Sequence, residues 1–289
     1  MEPVAADNEE AVEAWSGVLF DRWARHRDVL AISIRPFSET AYELCCPQPG
    51  ERVLDVGCGL GETTLALAEM VGPEGEVVGI DAGERFTVAA ADEAAAAGVD
   101  NASYITGDVQ VADLGGPYDL AFSRFGTMFF GNPVAALRNV RSSLRPGGRL
   151  CMVVWRNKLA NDWLHRGELV VDQYLERPEE TDEPTCGPGP FSMANADTTS
   201  DIVTAAGFED VALRRCDIDY LMGNDIDQAI EVVMAIGPAG ELIRLVGDEA
   251  EKIRPKLEAE LRDAYADLVR DDGVWAPAST WIVSAFNPG

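Results

Sequence analysis

The run Val53-Leu54-Asp55-Val56-Gly57-Cys58-Gly59-Leu60-Gly61-Glu62-Thr63-Thr64 carries the clearest chemistry in the chain. An apolar stretch leads into a glycine-rich turn, and a helix-forming stretch follows directly. Glycines are needed where a side chain would block a ligand and where the backbone takes dihedrals closed to other residues. The spacing separates the candidate ligands. A dinucleotide loop reads G-x-G-x-x-G, aimed at a pyrophosphate. Here Gly57, Gly59 and Gly61 read G-x-G-x-G, with Asp55 two residues upstream. A carboxylate at that place suits an ammonium group and opposes a pyrophosphate. No Gly-Lys-Ser/Thr follows, so a P-loop is excluded.

Two further aspartates stand at comparable places. Asp81 closes Val78-Gly79-Ile80-Asp81, where a carboxylate can accept both hydroxyls of a ribose, with Ala82 next in the chain. Asp108 closes Thr106-Gly107-Asp108-Val109, where an adenine edge would lie. Each alone reads equally well as a cap or turn residue. Together they mark the carboxyl ends of three successive strands, the crevice in which open α/β sheets bind ligands.

Those aspartates require alternating elements, and the sequence supplies them. Strands are predicted at 52–56, 76–81, 102–107, 118–123 and 149–155, with helices at 61–71 and 84–97 and another opening at Asn132-Pro133. Such alternation means a parallel sheet covered on both faces. Upstream, Val12, Trp15, Leu19, Trp23, His26 and Leu30 recur at steps of three and four and predict one helix over 8–31, with a shorter one over 38–45. Downstream, helices are expected over 161–175, 197–206, 225–246 and 248–271, a loop over 176–190, and strands over 211–221 and 280–285.

With these residues in view, the chain resembles the class I S-adenosylmethionine-dependent methyltransferases, in particular the bacterial small-molecule group related to ubiquinone and menaquinone biosynthesis enzymes. The resemblance covers residues 51–155 and includes Leu144-Arg145-Pro146-Gly147-Gly148-Arg149-Leu150, similar to the family's turn before strand five. It implies a Rossmann-like, doubly wound, seven-stranded sheet, mostly parallel with an antiparallel last strand, plus helical caps. Residues 1–50 would form an N-terminal cap, 51–155 the cofactor-binding core and 156–196 a lid. Residues 197–289 would complete the sheet around a helical insertion at 225–271, which shapes the substrate pocket or a dimer contact.

The resemblance further implies S-adenosylmethionine as cofactor. Asp55 with Gly57, Cys58, Gly59 and Gly61 would contact its methionine part, Asp81 and Ala82 its ribose, and Asp108 with Val109 its adenine. Ser123-Arg124-Phe125-Gly126 would meet both donor and substrate, Arg124 holding either an anionic substrate or the protein's own structure. Trp23 and Trp163 are substrate-side candidates, although aromatics at helical spacing also build cores. Arg35 could reach the cofactor's carboxylate.

A sulfonium methyl is already activated, so placing a nucleophile beside it is the main task, and positioning can supply about 7–11 kcal/mol. A strong catalytic signature is therefore not required. The two histidines, His26 and His165, are the candidates for a general base, and His26 on the apolar stripe reads equally as a packed or capping residue.

Bulk properties narrow the partners. The formal charge of −27 disfavours nucleic acid and anionic membrane surfaces, and no basic patch offsets it. No uninterrupted apolar stretch approaches about 18 residues, so no membrane span is expected. The start Met1-Glu2-Pro3 is unlike a signal peptide, which points to the cytoplasm. Six scattered cysteines, with no C-x-x-C and no histidine pair, predict free thiols and no metal. The expected function is methyl transfer to a small, partly apolar metabolite at oxygen, nitrogen or carbon, with a homodimer allowed. The alternative is a regulatory protein that binds the cofactor without turnover, favoured if side chains fill the pocket beside the methyl. A nicotinamide oxidoreductase is opposed by the glycine spacing. Arsenite methylation would need Cys45, Cys46 and Cys186 to converge.

Overall fold

The computed structural model of the protein describes residues 4–178, 185 and 187–289. Its centre is one sheet built from β1 (Arg52–Val56), β2 (Glu76–Asp81), β3 (Ala102–Thr106), β4 (Tyr118–Arg124), β5 (Leu144–Trp155), β6 (Glu209–Gly223), β7 (Val269–Arg270) and β8 (Gly273–Phe286). The order is β3-β2-β1-β4-β5-β8-β6, with β7 paired only to β8. Strands β1 to β5 run parallel, and β8 lies antiparallel to β5 and β6. The order reverses between β1 and β4, so the crevice of this sheet opens beyond the carboxyl ends of those two strands.

Continuous buried runs explain the inner strands. In β1 Val53, Leu54, Asp55 and Val56 are all buried, as suits a strand covered on both faces. The covering helices are α3 (Arg27–Cys45), α4 (Glu62–Val71), α5 (Glu84–Ala97), α6 (Pro133–Ser143) and α8 (Ala196–Ala205); α1 (Glu9–Ser16), α2 (Val18–Arg25) and α7 (Asp162–Val171) lie over the crevice side. Asn132 caps α6 by accepting from the Ala135 N–H, with proline at the first turn. Asp225 does the same for α9 (Ile226–Ala235), accepting from the Gln228 N–H.

The core strands and helices lie within a residue or two of their expected places, except that β5 begins earlier, at Leu144. The flanks depart further. The helix expected over 8–31 is three: the chain turns at Gly17, whose N–H returns to the Glu13 and Ala14 carbonyls, and again at His26. The stripe of apolar residues persists across both turns, which is why periodicity alone reads as one helix. Helix α3 then runs through Pro36 and absorbs the segment expected as separate over 38–45; proline removes one rung of the ladder without ending the helix.

In the insertion, the segment 225–246 is broken into α9 and α10 (Gly237–Val246) at Gly237, which takes φ of +80°. The segment 248–271 is α11 (Asp248–Lys252), α12 (Arg254–Tyr265) and then β7, an eighth strand beyond the expected seven. Strand β8 begins at Gly273, where a sequence reading starts it only at 280, because Pro277 and small residues hide the pattern. The loop expected over 176–190 includes residues 179–184 and 186, which lie outside the described residues, as does Cys186. Cys45, Cys46, Cys58, Cys151 and Cys216 are free thiols. Among the described residues no helix is long and apolar enough to cross a membrane.

Candidate active site

A cavity of about 800 Å³ opens above the carboxyl ends of β1, β2 and β4. Its floor is the glycine loop. Gly57 and Gly59 take φ of +70° and +53°, dihedrals that favour glycine. A Cβ at Gly57 would lie 2.9 Å from the Gly126 Cα, whereas one at Gly59 would meet nothing within 4 Å and project into open space. Gly57, Cys58 and Gly59 line the cavity; Gly61 does not. A Cβ there would stand 2.8 Å from the Ala90 Cβ and 2.9 Å from the Tyr104 hydroxyl, so Gly61 serves the packing of α4 against α5 and β3 rather than a ligand.

Asp55 is also absent from the cavity wall. It is wholly buried, and its Oδ2 accepts from the hydroxyls of Thr63 and Thr64 at 2.6 Å each, tying the end of β1 to the first turn of α4. Its Oδ1 has no partner, and burial pushes its pKa up against the lowering effect of the two hydroxyls.

Asp81 and Ala82 do line the cavity. Asp81 accepts from the Gly59 N–H at 3.0 Å and the Gly83 N–H at 2.9 Å, which fixes the carboxylate against the loop. Burial is the main reason that its pKa is raised to about 6, with the two amides acting the other way. A carboxylate so placed gains from further donors such as ribose hydroxyls. Asp108 and Val109 line the wall beyond it. Asp108 accepts from the Ala5 N–H at 2.9 Å, the Asn8 amide at 3.0 Å and the Gln110 N–H at 3.0 Å, so it also clasps the segment that opens α1.

Among the remaining candidates the structure separates two groups. Ser123 lies off the cavity and donates to the Val56 carbonyl at 2.7 Å, pinning β4 to β1. His26 is buried at the α2–α3 turn and off the cavity, with burial lowering its pKa; it is placed as a junction residue and not as a base. Arg124, Trp23 and Trp163 all line the cavity. Arg124 is engaged, though, donating to Glu62 at 2.9 Å and to the Ser38 hydroxyl at 3.0 Å, and Arg35 joins the same Glu62 at 3.2 Å. The two arginines that share Glu62, the first residue of α4, come from α3 and β4.

On the far wall, the sequence pointed to Phe125 and Trp163 but not to Trp155 or Tyr220. Phe125 stacks on Trp155 at 4.1 Å and Trp163 on Tyr220 at 3.9 Å, with Trp155 and Trp163 5.2 Å apart, and all four line the cavity. The α9–α10 corner at Ile236, Gly237 and Pro238 closes the same side. No local signal marks Tyr220, which antiparallel pairing brings in, whereas the corner belongs to the 225–271 insertion expected to shape the substrate pocket or a dimer contact.

Residues 47–181 match a family described as a methyltransferase domain. That stretch carries a methyltransferase domain. The chain is similar to the nocamycin O-methyltransferase of Saccharothrix syringae, 38% identical over 136 residues that cover 46% of this chain and 48% of that relative. It is similar also to the aklanonic acid methyltransferase DauC of Streptomyces sp. (strain C5), 32% identical over 133 residues, covering 45% and 60%. The chain thus spans about half the length of these relatives. The fold extends further. The solved YcgJ protein from Bacillus subtilis aligns with a TM-score of 0.55 at 16% identity, covering 89% of this chain and 98% of that one. That likeness in fold therefore reaches beyond residues 47–181.

Proposed function

We propose that this protein transfers the methyl group of S-adenosylmethionine to a small, partly apolar metabolite. One observation carries the reading: a single cavity runs from the glycine loop and Asp81 to an aromatic wall of Phe125, Trp155, Trp163 and Tyr220. A polar end fits a nucleoside and an apolar end fits a carbon frame, and one cavity holding both is what positioning requires. Asp81 takes the ribose, Val109 packs against the adenine, and Asp108 serves the adenine edge while holding the N-terminal segment. Asp55 acts indirectly, fixing the loop through Thr63 and Thr64. Segments 1–50 and 156–196 act as cap and lid. The names of the two relatives point to small-molecule acceptors.

The alternative of a binding protein without turnover needs a pocket blocked by side chains, and a cavity of about 800 Å³ favours turnover. Calorimetry with S-adenosylmethionine and with NAD tests the cofactor, and labelled methyl donor with a metabolite extract tests the transfer. Heat with NAD alone, or no labelled product from any extract, would overturn the proposal.

A further inference from the structure

Almost every acidic group in the cavity wall is already engaged. Asp81 is held by two main-chain amides and Asp108 by three donors. Glu62 is shared by Arg35 and Arg124, Glu93 is paired with Arg27 at 2.8 Å, and Glu241 with Arg244 at 3.0 Å. Asp28 stands in solvent. Burial pushes the Cys58 thiol and the Tyr220 phenol up, away from any role as a base near neutrality. Neither histidine lines the cavity. Among the described residues, then, no wall group is placed to take a proton from a neutral hydroxyl.

One cation in the wall stands apart. Arg22 donates through Nη1 to the Ala235 and Gly240 carbonyls, both at 3.1 Å, and its other N–H groups bond to no described residue. Burial lowers its pKa, and the charges that face it are Arg244, Glu241, Arg254 and Glu251, none of them a contacting carboxylate. Arg27, Arg35 and Arg124 are each paired with an acid, and Arg177 is exposed. Arg22 also sits beside the aromatic wall. Its two carbonyl partners bracket Ile236, Gly237 and Pro238, and a Cβ at Gly237 would be 2.3 Å from the Leu164 Cδ2, next to Trp163. A half-buried cation with no counter-ion among the described residues calls for an anion from the ligand.

We infer that the methyl acceptor is an oxygen acid already ionised in water, a carboxylate or an enol acidified by flanking carbonyls, whose charge is held by Arg22 and whose frame lies against the four aromatic rings. The inference rests on methyl transfer as proposed above. Bound S-adenosylmethionine supplies a methyl carbon on a sulfonium: as the acceptor oxygen bonds to it, the C–S pair leaves on sulfur, both charges vanish and no proton is released. The missing base is then no defect. Arg22 binds and orients the oxyanion, and the stacked rings exclude water around it.

The test is calorimetric binding at neutral pH. S-adenosylhomocysteine is titrated first, and a failure there would sink methyl transfer itself rather than the acceptor class. Three ring compounds of similar size follow: 2-naphthoate, 4-hydroxycoumarin as an acidic enol, and 2-naphthol as a neutral phenol. At least one anion should bind ten-fold or more tighter than 2-naphthol, and which one does so distinguishes carboxylate from enol. In Arg22→Gln the preference should fall towards one, and Arg22→Lys should retain part of it. Because Arg22 also ties the α9–α10 corner, the anion-to-neutral ratio is read, with melting temperatures alongside. Equal binding of 2-naphthol in the unmodified protein overturns the inference even if Arg22→Gln does not fold. So does an undiminished anion preference in a folded Arg22→Gln.

Discussion

Asp81 and Asp55 are close in type and place yet different in duty. Asp81 faces the cavity; Asp55 faces the inside of the loop. Both are carboxylates whose pKa burial raises, Asp81 to about 6. A raised folded pKa means that the folded state holds a proton which the unfolded chain has lost. Asp81 therefore adds stability below the ordinary carboxylate range, and that contribution is lost as pH rises through about 6. Ribose binding runs the other way, because the ionised form is the better acceptor. In the ligand-free protein, the melting temperature of Asp81→Asn should lack the part of the decline between pH 4 and 7 that the parent shows. Cofactor affinity of the parent should rise across the same interval; a flat affinity profile would remove Asp81 from the ribose. Asp81→Ala should weaken cofactor binding by about 2–4 kcal/mol, since a hydrogen bond to a charged acceptor is worth about 1.5–3 kcal/mol. Calorimetry that finds its affinity unchanged would relocate the nucleoside. The sequence made these aspartates visible through spacing. It could not show that Asp55 turns inward onto Thr63 and Thr64, that Ser123 spends its hydroxyl on Val56, or that Gly61 answers to Ala90 and Tyr104, because each depends on a neighbour from another strand or helix.

At the scale of elements, strands and helices of the core were legible because burial on both faces leaves continuous apolar runs between glycine and proline punctuation. The caps were less so. Gly17 and His26 turn the chain without interrupting its apolar stripe, and Arg22 became informative only once α2 lay beside the α9–α10 corner. The opening of α1 is tied down at several points: Ala5 and Asn8 to Asp108, Asn8 to the Gly131 N–H, Asp7 to the Gln110 amide and Glu10 to the Thr185 N–H. These are a few individual hydrogen bonds, buried or part-buried except the exposed Glu10–Thr185 contact. Each is worth about 0.5–1.5 kcal/mol net, or about 1.5–3 kcal/mol to a charged group, so the segment should open below the cost of global unfolding. Hydrogen exchange should be fast in α1 and α7 without cofactor and slow on its addition, while β1 and β4 stay protected throughout. Asp108→Ala should speed exchange in α1 with little effect in β3. If α1 exchanges as slowly as β1 in the variant, Asp108 is not what holds the cap.

For the molecule as a whole, charge is the dominant property, and two effects of salt compete. The chain has 50 acidic residues against 23 lysines and arginines, so even complete pairing leaves the formal charge of −27. Self-repulsion of that size destabilises the compact state and is relieved by screening, with a Debye length of about 10 Å at 0.1 M and about 3 Å at 1 M. Screening also weakens ion pairs. Many of these pairs, such as Arg25–Glu231 with side chains 72% and 49% exposed, lie in water, where a pair is worth about 0–1 kcal/mol. The better-buried pairs, Arg149–Glu51 and Arg244–Glu241, are shielded from salt by the protein. Relief of repulsion should therefore win, and the melting temperature should rise as sodium chloride is taken from about 20 mM to about 0.5 M. Association should respond with the opposite sign, because S-adenosylmethionine carries net positive charge and is drawn to an acidic surface: stopped-flow on-rates should fall over the same range while off-rates change little. A melting temperature that falls with salt would mean that surface pairs outweigh the net charge. An on-rate indifferent to salt would mean that the acidic surface serves the protein's solubility alone and does nothing to gather its cofactor.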